Sequence, residues 1–417
     1  MSEWSSKLGF VFAVIGSAVG LGNIWRFPFQ VGNNGGGAFL IPYLFATFFF
    51  GLPLMVVAIK AGERMGTDIV KSFSEMKKGY FGWFIAVVAT LILSYYLVIT
   101  GWVIAFILFS LTGFTTSFGE FTSSLKPLVY WIVALGFTGL IVSYGVEDGI
   151  ERAASIFIPL IFIFLAVLAV YNSTLSGFGE AMDFFLNPDY AVLMEPRIWR
   201  SAFGQAFFSL SLGMGILLTY GSYIGDEMNI PKLSVIIALS NFAVAFLGGL
   251  VIFPVVFTKG LEPSQGAKLA FVTLPSAMAG LPFGNVLGAV FFSLLFLAAV
   301  SSSISLLEVP VAVAIGRGTS RTRAIGSMLV ILFMAGLPSA LSYTSAGVSM
   351  SGMPFLDFID ESISDIGLPI TALIIAVTFT WLTDEEITDV KTIDVIVRYL
   401  VPAALVVLMA TEVVYPV

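Results

Sequence analysis

The chain has no cysteine and no histidine. Without thiols there are no disulfides and no sulfur nucleophile. Without imidazole the usual haem ligand, most zinc sites and the side chain best suited to proton transfer near neutral pH are missing too. Charge is equally scarce. Only 11% of the 417 residues are Asp, Glu, Lys or Arg, against roughly 25% in a soluble domain, so a water-facing surface cannot be covered. The net charge of −7 leaves no basic footprint for nucleic acid. The opening Met1-Ser2-Glu3-Trp4-Ser5-Ser6-Lys7 is not read as a cleavable signal peptide, because the apolar segment behind it is too long and too glycine-rich.

Hydrophobic residues make up 58% of the chain, with a mean hydropathy of +1.00. A membrane helix needs ~20 mostly apolar residues. Eleven such segments run at about 8–32, 38–61, 82–112, 127–145, 152–171, 200–224, 232–258, 284–315, 323–343, 354–382 and 395–415. Each must satisfy its own backbone hydrogen bonds in lipid, which predicts helices. The expectation is an all-α membrane protein forming one transmembrane domain over 1–417, surrounded by lipid bilayer. Lys7, Lys60, Arg64, Lys71, Lys77, Lys78, Arg152, Lys232, Arg317, Arg321, Arg323, Lys391 and Arg398 fall on one side of these spans. Only Lys126, Arg197, Arg200, Lys259 and Lys268 fall on the other. That bias predicts a multi-pass cell-membrane protein with a cytoplasmic N-terminus and, after an odd number of spans, an extracellular C-terminus. The outer loop 259–283, with Thr273-Leu274-Pro275 and Gly280-Leu281-Pro282, is expected to form short helices capping the outer face.

Two spans carry an interruption at their middle. The first holds Gly16, Gly20 and Gly22; the sixth holds Ser209-Leu210-Ser211-Leu212-Gly213-Met214-Gly215. Each glycine weakens a helix by roughly 1 kcal/mol relative to alanine. Gly16 and Gly20 alone read equally as a GxxxG packing motif. Two interruptions five spans apart point instead to the substrate site of a secondary transporter, where freed carbonyls hold cations and freed N–H groups hold a carboxylate. Asn23, Asn241, Ser301, Ser302 and Ser303 add neutral oxygens inside the membrane, suited to a monovalent cation; serines that merely bond back to helix carbonyls are the plain alternative. Arg26 needs a partner, and Asp357 and Asp360 are candidates, as a gate or as a structural ion pair. Tyr95 and Tyr96 read as core aromatics or as hydroxyls offered to a ligand. Pro159 is a kink site in the fifth span.

Together these residues resemble the neurotransmitter:sodium symporter family in its eleven-span bacterial or archaeal variety. The densest stretch is Gly16 to Phe39, with Asn23-Ile24-Trp25-Arg26-Phe27-Pro28 and Asn34-Gly35-Gly36-Gly37-Ala38-Phe39; the second is Gly204 to Gly213. The resemblance implies two inverted five-helix repeats, about 8–171 and 200–382, with broken helices 1 and 6 and an extra helix at about 395–415. It implies two Na+ sites. One would use Ala18, Asn23, Ser209 and Asn241, the other Gly16, Val19, Ala298, Ser301 and Ser302. An amino-acid substrate would meet N–H groups near Leu21 and Gly22, the Tyr96 hydroxyl, carbonyls of Ala18, Phe208 and Ser209, and Ser211. Ser17, Gly20, Ile92, Met214, Ser302 and Leu306 would shape its side-chain pocket. Arg26 and Asp360 would form an outer gate with Phe208 as lid, and Gly149 to Pro159 an unwinding segment on the inward sodium path.

The chain departs from the family in places. Ala245 brings neither hydroxyl nor acid to the position that decides chloride dependence, although Tyr43, Gln205, Ser209 and Asn241 remain, so chloride is left open. Met1 and Gly316 stand where an inner Arg–Asp gate is expected, which shifts inner closure to Trp4, Tyr223 and Glu308. Gly20 lacks the Asp of monoamine carriers, and Ile92 and Met214 are apolar. The expected activity is therefore sodium-coupled symport of a neutral, hydrophobic or aromatic L-amino acid by alternating access. The rivals are a proton-coupled carrier using Glu308 and a ligand-binding membrane receptor or channel. No enzymatic motif stands at mid-span. The sequence does not speak to oligomeric state.

Overall fold

The computed structural model describes residues 3–225, 228–262, 269–383 and 387–414. Met1, Lys268 and the end of the last predicted span, at 415, lie outside them. Among the described residues nine helices are long and apolar enough to cross a membrane. They are Gly36–Met65, Gly79–Leu111, Lys126–Ser143, Val146–Asn172, Ile230–Thr258, Gly284–Ile315, Arg321–Leu341, Phe355–Trp381 and Lys391–Ala410. They form spans two to five and seven to eleven. The first span is the bent pair Lys7–Ala18 and Gly22–Asn33, and the sixth is Pro196–Ser209 followed by Ile216–Gly221. This is the all-α architecture of two inverted five-helix repeats with an additional helix.

The third span (Gly79–Leu111) and the eighth (Gly284–Ile315) pack along each other at the centre. Both are 78% buried over their most apolar window, whereas the eleventh is 17% buried and presents its surface to lipid. The buried polar residues sit where these central helices meet the broken ones. Leu269–Thr273 and Leu274–Ala279 form short helices in the loop 259–283 expected to hold them.

The breaks have local causes. The first helix stops at Ala18 because Val19 turns out of helical geometry (φ −86°, ψ 90°), and a bend of 50° separates the halves. In the sixth span Ser211, Gly213 and Gly215 take positive φ of 55°, 83° and 77°. Glycine tolerates this conformation, whereas Ser211 is held there against its preference. Gly213 has a second reason to lack a side chain. A Cβ there would stand 2.6 Å from Thr371 Oγ1 and 2.8 Å from Leu368 O, so the break lies directly on the tenth span.

The candidate binding site between the two breaks

The two breaks face each other and, with the third and eighth spans, line a common cavity. Ser17, Ala18, Gly20, Gly22, Ile92, Tyr96, Phe208, Ser209, Ser211, Met214, Ser302 and Leu306 line it, as expected from the sequence. Leu21 does not. Its backbone N–H donates to the Tyr96 hydroxyl at 3.1 Å, so it positions Tyr96. Asn23 and Ile216 are additional lining residues. The sequence singles out Asn23 for its oxygen, and nothing in it distinguishes Ile216 from any core isoleucine.

Gly20 is a space requirement. A Cβ would come within 2.6 Å of Ser302 Oγ and 3.0 Å of Tyr96 OH. The floor is tied across elements: Ser211 Oγ donates to Ser17 O at 2.8 Å, joining the two breaks directly.

Four buried groups meet at one end of the cavity. Asn23 Nδ2 donates to Asn241 O (3.1 Å) and Oδ1 (2.7 Å), and Asn23 Oδ1 accepts from Gly20 N (3.3 Å). Asn241 Nδ2 donates to Ser209 Oγ (3.1 Å) and Tyr43 OH (3.3 Å). In this orientation the Asn241 oxygen stands against the carbonyls of Ala18 (3.2 Å) and Ser209 (3.1 Å); turning the amide makes its nitrogen the donor to both. The choice depends on what shares the site. Gln205 Nε2 donates to Gly22 O at 2.8 Å, and Ala245 is fully buried beside this group.

At the other end the eighth span meets the first. Ser301 Oγ donates to Ala298 O (2.9 Å) and lies 3.4 Å from Val19 O; Ser302 Oγ lies 3.5 Å from Gly16 O and 3.3 Å from Ser17 O. All five residues predicted for the second cation are thus within one cluster. Gly16 has Ser301 Cβ 3.3 Å from where its own Cβ would be.

Arg26 meets a different acid from the expected Asp360. Arg26 pairs with Asp365 at 3.9 Å, and its guanidinium lies 4.8 Å over the Phe208 ring. Asp360 accepts instead from Ser364 Oγ at 3.0 Å, which stands 3.5 Å from the Tyr95 hydroxyl. Asp357 accepts from Tyr343 OH at 2.7 Å. The cause is a wide turn in the tenth span at Ser362–Gly367, which rotates Asp365 toward Arg26.

Trp4, Tyr223 and Glu308 come together at the opposite end of the path, with further residues beside them. Trp4 Nε1 donates to Tyr220 O (3.0 Å) and Tyr223 OH to Glu308 Oε1 (2.7 Å). Arg321 holds both Glu308 oxygens and donates through Nε to Val142 O at 2.8 Å. Glu151 accepts from Ser5 N (2.9 Å), Ser5 Oγ (2.6 Å) and Ser6 Oγ (2.9 Å). Arg321 was read only as a topology signal, and Glu151 was not singled out. Beside Gly316, Asp68 pairs with Arg317 at 3.6 Å. The segment from Gly149 through Pro159 is helical here.

Two broken helices crossing at a polar cavity, inside inverted five-helix repeats, define a membrane transporter of the secondary type. A sequence profile described as the Sodium:neurotransmitter symporter family matches residues 1–120 and 115–400. The chain belongs to that family. It is 36% identical over 391 residues to an uncharacterized sodium-dependent transporter, YhdH, of Bacillus subtilis, covering 90% of this chain and 86% of the relative. It is also 36% identical over 410 residues to an uncharacterized sodium-dependent transporter of Methanocaldococcus jannaschii, covering 91% and 82%. The creatine transporter of Torpedo marmorata is 27% identical over 350 residues, covering 70% of this chain and 57% of that protein. Among solved structures, MhsT in complex with L-phenylalanine superposes with a TM-score of 0.91 at 36% identity, over 99% of both chains.

Proposed function

We propose that this transporter carries a neutral, hydrophobic or aromatic L-amino acid together with sodium, by alternating access in the cell membrane. The observation that supports it most is the cavity between the breaks, polar at its backbone end and lined by Ile92, Phe208, Met214 and Leu306 elsewhere. An amino acid needs this division: charged groups at exposed backbone, side chain against apolar walls. The kinship with a protein solved with phenylalanine agrees. Gly20 supports a substrate that brings its own carboxylate, because a side-chain acid at that position has no room.

In this reading one sodium lies among the oxygens of Ala18, Asn23, Ser209 and Asn241, completed by the substrate carboxylate. The other lies among Gly16, Val19, Ala298, Ser301 and Ser302. The meeting of Asn23, Asn241 and Ser209 in one buried cluster supports the first. Coupling is direct, since carboxylate and sodium share a ligand set. The repeats run at about 8–171 and 200–382 in one domain, with the N-terminus cytoplasmic and the C-terminus extracellular. Glu308 is bound by Arg321 and Tyr223 on its two oxygens, which speaks against its carrying a proton through the membrane.

The test is binding of a panel of radiolabelled L-amino acids to purified protein in sodium and in potassium at constant ionic strength. Sodium-dependent retention of a hydrophobic amino acid is expected. Equal binding in both salts would remove sodium from the mechanism, and preference for a charged amino acid would remove the substrate class.

A further inference from the structure

The sixth-span break carries little conformational preference of its own. Gly213 and Gly215 take positive φ of 83° and 77°, and glycine populates that region as readily as its mirror image. Met214 and Ile216, on either side of Gly215, line the cavity, so what holds Gly215 decides where they stand. Three side chains close on it. A Cβ there would lie 3.0 Å from Ile69 Cδ1, 3.1 Å from Ile85 Cγ2 and 3.3 Å from Val309 Cγ1. Ile85 and Val309 belong to the two long central helices. Ile69 does not. It opens a helix of 7 residues, Ile69–Glu75, in the loop between the second and third spans, and a helix that short is marginal by itself.

Asp68 fixes the start of that helix. Its Oδ1 accepts from Val70 N (3.0 Å) and Lys71 N (3.1 Å), which caps the first turn. The Asp68 side chain is buried and pairs with Arg317 at 3.6 Å. Arg317 is placed in turn by Val313 O, to which Nη1 donates at 2.7 Å, and by the Trp83 ring, 4.5 Å from its guanidinium. Room for the carboxylate exists because residue 316 is glycine: a Cβ there would run into Asp68 Oδ2. Gly82 brings the third span equally close, since its Cβ would meet Val70 Cα at 2.6 Å and Ile69 O at 2.8 Å. Groups packed this closely transmit a displacement rather than absorb it. On the transport reading above, on which this rests, we propose that Asp68 is a positioning residue for the binding cavity. Anchored by Arg317, it holds Ile69 against Gly215 and so sets Met214 and Ile216 in the cavity wall.

The absence of native cysteine makes the test direct. Ile216→Cys places the sole thiol beside the break, and Thr138→Cys, buried in the fourth span, serves as the control. Each purified protein is labelled with N-ethylmaleimide in detergent, without amino acid. Ile69→Ala is expected to speed labelling of Ile216→Cys about tenfold, because it empties the space against Gly215. Asp68→Asn, which keeps the capping oxygen, and Arg317→Gln are each expected to speed it about threefold. Together they should do no more than either alone, since both act through one pair. Unchanged labelling in Asp68→Asn, a double variant at the product of the two singles, or equal acceleration of Thr138→Cys overturns the proposal. Should Asp68→Asn not fold, unchanged labelling in Arg317→Gln overturns it by itself. No amino acid enters the measurement, so a failure here is distinct from a failure of the substrate assignment.

Discussion

The two ends of the transport path are closed by different chemistry. Outside, one partly exposed ion pair at 3.9 Å and a cation over an aromatic ring span the gap. Inside, Trp4, Tyr220, Tyr223, Glu308, Arg321 and Val142 are joined in one largely buried chain of hydrogen bonds, and Glu151 clasps Ser5 and Ser6 beside it. Charge-assisted bonds away from water are costly to lose, while a wet, long pair is held at little more than thermal energy. The outer side is therefore the light latch and the inner side the heavy one.

The largest break in that comparison is expected at Glu308. Glu308→Ala leaves Arg321 without its carboxylate, at a cost of about 3–5 kcal/mol. A melting temperature in detergent lowered by several degrees, with faster labelling of a Ser222→Cys reporter from the inner side, is the expected result; an unchanged melting temperature would make the inner chain ornamental. Next comes Asn23→Ala, which strips partners from the Gly20 N–H and from Asn241, at about 1–3 kcal/mol. Sodium-dependent amino-acid binding should fall by about tenfold to a hundredfold, because 1.4 kcal/mol is tenfold in an equilibrium. Wild-type affinity at every sodium concentration would separate the first cation from the substrate.

Gly20→Ala sharpens the picture of the pocket. Its methyl must displace Ser302 Oγ or Tyr96 OH, an overpacking of about 1–3 kcal/mol. Binding should weaken for every amino acid while the fold is retained, measured by equilibrium dialysis beside a thermal melt. Selective loss of large substrates alone would place Gly20 at the side-chain end of the pocket. Trp4→Phe is the gentlest of these, deleting one buried hydrogen bond to Tyr220 O at about 1 kcal/mol. A small rise in inner labelling of Ser222→Cys is expected, well below that of Glu308→Ala. Equality of the two would locate the heavy latch at Trp4 rather than at the buried acid.

The pocket was legible because the features that build it are local. Gly213 and Gly215 announce a break through their backbone freedom alone, and Asn23, Ser209 and Ser302 lie within a turn or two of the glycines or serines that drew attention to them. The gate acid was not legible. Asp360 and Asp365 are five apart in a span that reads as ordinary helix, and only the wide turn at Ser362–Gly367 selects between them. The partner of Arg321 was not legible for a similar reason. Its charge served to orient the chain, and nothing in residues 316–323 says that this one arginine folds back to Glu308 while Arg317 turns to Asp68.

Hydropathy, the scarcity of charge and the paired glycines by themselves determined a membrane-embedded helical protein with two interrupted spans, since backbone satisfaction in lipid and glycine's conformational freedom are properties of the local chain. The tertiary structure alone decided which carboxylate meets which guanidinium, and which distant amides share one polar cluster. Those outcomes depend on rotations of whole helices by a fraction of a turn, set by packing between segments as distant in sequence as Asn23 and Asn241.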